Sequence, residues 1–95
     1  MKHCIIAKFG NEVADKKEAA AQVKALFAAA APVEGVTGIV IHENCVARDN
    51  RYDLMIVVEM ARDALGAWDA SEIHHQWKAQ FGGMLASKVI FDYED

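Results

Sequence analysis

No apolar stretch in this sequence approaches the length needed to span a bilayer, so a membrane is not an expected partner. The apolar run that opens the chain is broken at Lys8, is too short for a signal peptide and lacks a cleavage site. A cytoplasmic location is the default expectation. Basic residues are few, 10 against 14 acidic ones for a net charge of −4, and no basic stripe interleaves with aromatics. That balance argues against nucleic acid as a partner. There are only two cysteines, Cys4 and Cys45, with no CxxC and no metal-site spacing, so no metal is expected and both read as packing residues of a reducing compartment. A glycine-rich phosphate loop, an HExxH and a G-x-S-x-G are all missing, which removes the usual motif for nucleotide, zinc-protease and serine-hydrolase chemistry. No cofactor is implied. Repeats, low-complexity tracts and linkers are absent as well, and 95 residues allow one domain, spanning 1–95.

What is present is apolar. The hydrophobic content is 54%, high for so short a chain. A domain of this size buries only about 60–65% of its unfolded surface on its own. His3 to Phe9 reads as a first strand, stopped by Gly10 and Asn11. Asp15 stands three residues before Glu18, the spacing of a capping box, and opens a helix to about Ala30 with Val23, Leu26, Phe27 and Ala30 as its apolar stripe. The single proline, Pro32, and Gly35 end it. Val36 to Asn44 is a second strand. A polar connection at Ala47 to Arg51 leads into a third strand, Tyr52 to Met60. A short helix holds Asp63 to Trp68. Ser71 caps a third helix to about Leu85, and Lys88 to Tyr93 is a fourth strand. Asp92, Glu94 and Asp95 form an acidic tail that reads as a solvating end.

This order predicts an α+β, ferredoxin-like fold: a four-stranded antiparallel sheet with its helices on one face. The other face also needs a cover. Leu54, Ile56 and Val58 point one way in the third strand, and Met55 and Val57 the other. The first strand divides in the same manner, with Ile5 and Phe9 opposite Cys4 and Ile6. A sheet with one wet face alternates apolar with polar, and these strands do not. A partly greasy exposed face of this kind marks an interface. Two sheets packed face to face would close a barrel from two chains, so the expected partner is a second copy. In the expected strand order 4-1-3-2, Cys4 and Cys45 lie well beyond the roughly 7 Å that a disulfide can bridge.

Four stretches together resemble the stress-responsive A/B barrel family: MKHCIIAKF, RYDLMIVVEM, ALGAWDASEIHHQW and VIFDYED. The likeness runs over nearly the whole chain. It implies a homodimeric α+β barrel with a cavity in each subunit between sheet and helices. Most members have no known activity. A plant branch, the cofactor-free polyketide cyclases of the olivetolic acid cyclase kind, uses a helix histidine as base and a tyrosine as its partner. On that resemblance His74 falls on the catalytic histidine and His3 on a first-strand histidine near the cavity. Trp68 stands in the place of the tyrosine, and Leu54 in that of another cavity histidine. Ser71 and Glu72 replace the first two residues of a His-Pro-x-His turn. The base is kept and its hydroxyl partner is lost.

On a helical wheel Ile73, Trp77, Phe81, Met84 and Leu85 form one stripe, with His74 on its flank and His75 turned to solvent. The expected site is a cavity touching His74, with Trp68, Trp77 and Phe81 in its wall, His3 and Leu54 nearby and Ile56 on its floor. There His74 could act as a general base next to a carbonyl. Trp68 can donate through its indole N–H but cannot accept a hydrogen bond or ionise as a phenol does. The alternative for His74 is a core histidine with one satisfied hydrogen bond. For Trp68 it is cavity wall or core, and for His3 a strand-end residue near solvent. Glu72 and His75 have the i, i+3 spacing found in di-iron bundles, but further facing carboxylates are missing and a solvated helix face accounts for them. Two functions follow. One is a non-catalytic or small-ligand-binding barrel dimer, the preferred reading because no partner acid or nucleophile is evident. The other is a cofactor-free cyclase, isomerase or oxygenase acting on a small apolar carbonyl compound.

Overall fold

The computed structural model describes all residues, Met1 to Asp95. Strand β1 (Lys2–Phe9) leads to helix α1 (Lys16–Ala28), followed by β2 (Val36–Glu43) and β3 (Leu54–Met60). A 3-10 turn (Arg62–Ala64) precedes α2 (Leu65–Asp69) and α3 (Glu72–Phe81), and a second 3-10 turn (Gly82–Met84) delivers the chain to β4 (Leu85–Tyr93). The Asp15 carboxylate accepts the Glu18 amide at 3.0 Å and so satisfies one of the open N–H groups of α1. Ser71 caps α3 through the His74 amide at 3.3 Å, and its own hydroxyl donates to the Trp68 carbonyl at 2.6 Å. One side chain thus ties α2 to α3.

The strands lie in the order β2-β3-β1-β4, and every neighbouring pair is antiparallel. Ile5 sits between Ile56 on one side and Ile90 on the other, which fixes which residues share a face. Ile5, Ala7, Phe9, Leu54, Ile56 and Val58 look toward the helices and are nearly or fully buried. Val23 and Phe27 of α1 and Ile73, Trp77 and Phe81 of α3 close over them. The opposite face carries Val40, Met55, Val57, Cys4, Ile6, Val89 and Phe91 in register. Val40, Val89 and Phe91 are exposed there, Phe91 by 61%.

Two boundaries differ from the sequence expectation by three residues or more, the others by one or two. The third helix stops at Phe81 rather than near Leu85, and the fourth strand begins at Leu85 rather than Lys88. Gly82 and Gly83 are the cause, since glycine is among the poorest helix formers. Met84 and Leu85 still pack against the core, so the apolar stripe survives the change of structure.

Gly35 closes the connection from α1 to β2 with φ of +82°, a left-handed conformation, and a Cβ added there would lie 2.5 Å from the Ala64 Cβ. Gly35→Ala is therefore expected to cost at least about 1–2 kcal/mol from backbone conformation alone, with the clash in addition. Urea unfolding monitored by circular dichroism should show the lower midpoint.

Both cysteines are free, Cys4 buried and Cys45 exposed. Burial pushes the Cys4 thiol up, the nearby Asp92 carboxylate adds to the rise and Lys2 opposes it. One thiol per chain, Cys45, should react promptly with Ellman's reagent in native buffer, and two in denaturant; prompt reaction of both in native buffer would contradict the packing of Cys4.

Candidate functional site

The sequence candidates gather around Trp68. This indole is fully buried, with the ring of His74 at 5.6 Å, tilted, the ring of His3 at 6.4 Å, edge-on, and that of Phe27 at 6.4 Å, stacked. The sheet supplies His3, whose parity on β1 turns it to the helix side. The first turn of α3 supplies His74, and α2 lays Trp68 between them. The Trp68 indole nitrogen is buried with no hydrogen-bond partner. An unpaired buried donor costs on the order of 1–3 kcal/mol, so its retention in a core is a feature to account for.

The ring nitrogens can be assigned from their partners. His74 Nδ1 lies 3.0 Å from the Asp69 carbonyl. A carbonyl oxygen only accepts, so Nδ1–H donates, and a neutral ring keeps its Nε2 lone pair free. His3 Nδ1 lies 2.5 Å from Asp92 Oδ1, and the carboxylate is again the acceptor. The row therefore offers two imidazoles with defined tautomers when neutral, a carboxylate behind one of them, and a buried indole whose ring neighbours both. Such a set can orient or polarise a small polar group.

Room is a separate matter. Leu54, Ile56, Trp77 and Phe81, expected to line a cavity, are at most 3% exposed and belong with Trp68 to one packed cluster. None of them, nor His3 or His74, lines any of the five principal depressions of the surface. The two tryptophans and Phe27 fill the volume between α3 and the sheet, Phe27 standing 5.9 Å from Trp77. His74 is half-buried at the edge of this cluster, and His75 is exposed beside it. The depression next to α3 lies instead on its far side, about 510 Å³ between Ala29–Glu34 and the first turn of the helix, with Ser71, Glu72 and Ile73 in its wall. No group of three or more His, Cys, Asp or Glu side chains converges as a metal site would require.

Asp92 was missed. The sequence places it in a solvating tail, but the tail is tied down. Asp92 holds His3, Glu94 meets Arg62 at 3.2 Å and Asp95 meets Lys2 at 3.3 Å. The β1–β4 register, which sets His3 opposite Asp92 and Lys2 opposite Tyr93, creates the first and the last of these contacts. Once β4 is read as a strand beside β1, the alternation of residues along it is the signal that could have found Asp92.

A family model described as Dabb, stress responsive A/B barrel domain, matches residues 1–95. Solved structures show the same fold. A dimeric ferredoxin-like protein of unknown function from Thermobifida fusca is 18% identical, with a TM-score of 0.78 over 99% of this chain and 89% of that one. A dimeric protein of unknown function from Bacteroides fragilis is 17% identical, with a TM-score of 0.79 over 99% and 94%. A hydroxynitrile lyase from Passiflora edulis is 8% identical, with a TM-score of 0.72 over 97% and 89%. No curated protein matches the sequence.

Proposed function

The chain belongs to the stress-responsive A/B barrel domain family, and on that premise we propose that two copies pack sheet to sheet as a barrel whose role is non-catalytic or the binding of a small apolar ligand. The carrying observation is the sheet face away from the helices, where Val40, Val89 and Phe91 stand exposed around Met55, Val57 and Ile6. A contiguous apolar face on a chain this small is covered by a partner, and an isologous interface needs no second gene product. The dimers of unknown function from Thermobifida fusca and Bacteroides fragilis support this reading. Two free thiols fit a reducing compartment such as the cytoplasm. Sedimentation equilibrium at micromolar concentration tests the assembly, and a monomer there would overturn it. Native mass spectrometry of the purified protein tests the ligand: a co-purifying apolar metabolite identifies the binding form of the reading, and its absence the purely structural form.

A second reading rests on the unpaired Trp68 N–H and on the His74 ring 5.6 Å from the indole. In a cofactor-free enzyme His74 Nε2 would take a proton adjacent to a carbonyl, and the indole N–H would hold the resulting enolate oxygen. Oxyanion donors commonly contribute about 3–4 kcal/mol each. Substrate would require an opening at the edge of α3 that the packed tryptophans now fill, which is why this reading comes second. Under it, His74→Gln abolishes turnover and leaves the assembly intact, whereas His75→Gln does little. Equal activity of wild type and His74→Gln on any substrate that is found would end the catalytic role.

A further inference from the structure

The largest of the five principal depressions, about 710 Å³, lies far from these histidines, where the β2–β3 connection folds over the end of β1. Four cations line it, Lys8, Lys16, Arg48 and Arg51, against two carboxylates, Asp49 and Asp53. The chain as a whole carries −4, so the lining of this depression has the opposite sign to the chain's net charge. Lys2, Lys24 and Arg62 are each paired with a carboxylate, whereas these four, like Lys17, Lys78 and Lys88, are not.

The arrangement is built and held. Asn44 makes two side-chain bonds to Val46, at 2.6 and 3.3 Å, and the Arg51 amide closes a turn on the Arg48 carbonyl at 3.1 Å. Lys8 reaches across to the Asp49 carbonyl at 2.6 Å and pins the connection to β1. Asp53 spends one carboxylate oxygen on the Phe9 amide at 2.7 Å, so it serves the backbone. Lys8 uses one of three ammonium protons in its contact, and the Arg51 guanidinium meets only the Asn50 side chain, at 2.6 Å. Most donors of the four cations remain open, Lys8 on β1, Lys16 at the start of α1 and the two arginines on the β2–β3 connection.

We propose that this basin binds a phosphate group, carried by a small phosphorylated molecule or free in solution. Two guanidinium forks match phosphate oxygens in geometry, and the excess of two positive charges matches a phosphate near its dianion. The volume lies within the range of ordinary small-molecule sites. Val46, exposed in the wall, gives an organic portion apolar surface to lie against. Side chains, rather than a glycine-rich loop, would hold the anion, which is why no motif announces it.

The test is a proton–nitrogen correlation titration of the intact protein with sodium pyrophosphate, with adenosine monophosphate, and with sodium sulfate at matched ionic strength. Saturable shifts are expected at residues 8–11, 16 and 44–53 with the phosphates, and weaker ones with sulfate. The double variant R48A/R51A should raise the Kd at least about tenfold, because charge-assisted forks are the strong contacts, while Lys78→Ala on α3 leaves it unchanged. Tighter binding of adenosine monophosphate assigns the site to an organic phosphate, and equal or tighter binding of pyrophosphate to the free anion. Shifts that do not saturate, that appear equally around Lys24 and Arg62, or that survive in R48A/R51A would overturn the proposal.

Discussion

Met55→Asp should leave the fold of each chain intact and shift the protein to monomer at micromolar concentration. Met55 sits in β3 on the face away from the helices, between Ile6 of β1 and His42 of β2. It is half-buried in the single chain, so an aspartate there keeps its carboxylate hydrated in the monomer. Against a second apolar sheet the same carboxylate loses water and gains no partner, at a cost of several kcal/mol. In the proposed dimer, two-fold symmetry would place this cost in the interface twice. A dissociation constant raised by more than about a hundredfold is the expected reading in sedimentation equilibrium, each factor of ten corresponding to about 1.4 kcal/mol. Circular dichroism separates loss of assembly from loss of fold. An unchanged dimer in the Met55→Asp variant would place the interface elsewhere on the molecule.

Trp77→Ala is expected to be the most damaging single truncation in the core. The ring is 1% exposed and lies 5.9 Å from Phe27 and 5.6 Å from Phe81, so it joins α1, α3 and the sheet. Tryptophan-to-alanine changes in packed cores cost about 3–5 kcal/mol, from lost transfer energy and from the cavity left behind. Domains of this size have roughly 5–15 kcal/mol in total, so a lowering of Tm by more than about 12 °C follows. Scanning calorimetry at fixed protomer concentration measures it. Trp68→Phe is the informative contrast, since it removes the unpaired indole N–H together with some volume, and the two effects oppose one another.

The fold was legible because pattern, capping and turn chemistry agree. Asp15 and Ser71 open the helices they were expected to open, and the two-sided apolar character of β1 and β3 placed Ile56 and Val58 under the helices and Met55 and Val57 away from them. The site was legible only in part. A helical wheel puts His74 beside the apolar stripe, but it carries no information on whether the space in front of the ring is empty. Trp68, Trp77 and Phe27 together decide that, and they come from three helices. Asp92 was hidden for a related reason. A carboxylate near a chain end reads as solvated until the strand beside it is known, and its partner His3 lies 89 residues away in sequence. The basic basin has the same origin, since Lys8, Lys16 and Arg51 meet only after β1 and the β2–β3 connection come together.

The pairing of β1 with β4 also sets a schedule. Lys2 stands opposite Tyr93, so β1 is flanked on one side by the latest of the four strands to be made. A ribosome can release β1, α1, β2 and β3 in turn, and those elements can begin to pair. The sheet can have at most three of its four strands until residues 85–93 emerge. During that interval β1 has an open edge, with Cys4 and Ile6 on one face and Ile5 on the other. Open apolar edges are templates for pairing with another chain. Long-range closures of this kind are also the slow steps of folding. For this protein, the time between synthesis of β3 and docking of β4 is when a nascent chain is most exposed to aggregation, and the point at which a chaperone would have most to protect.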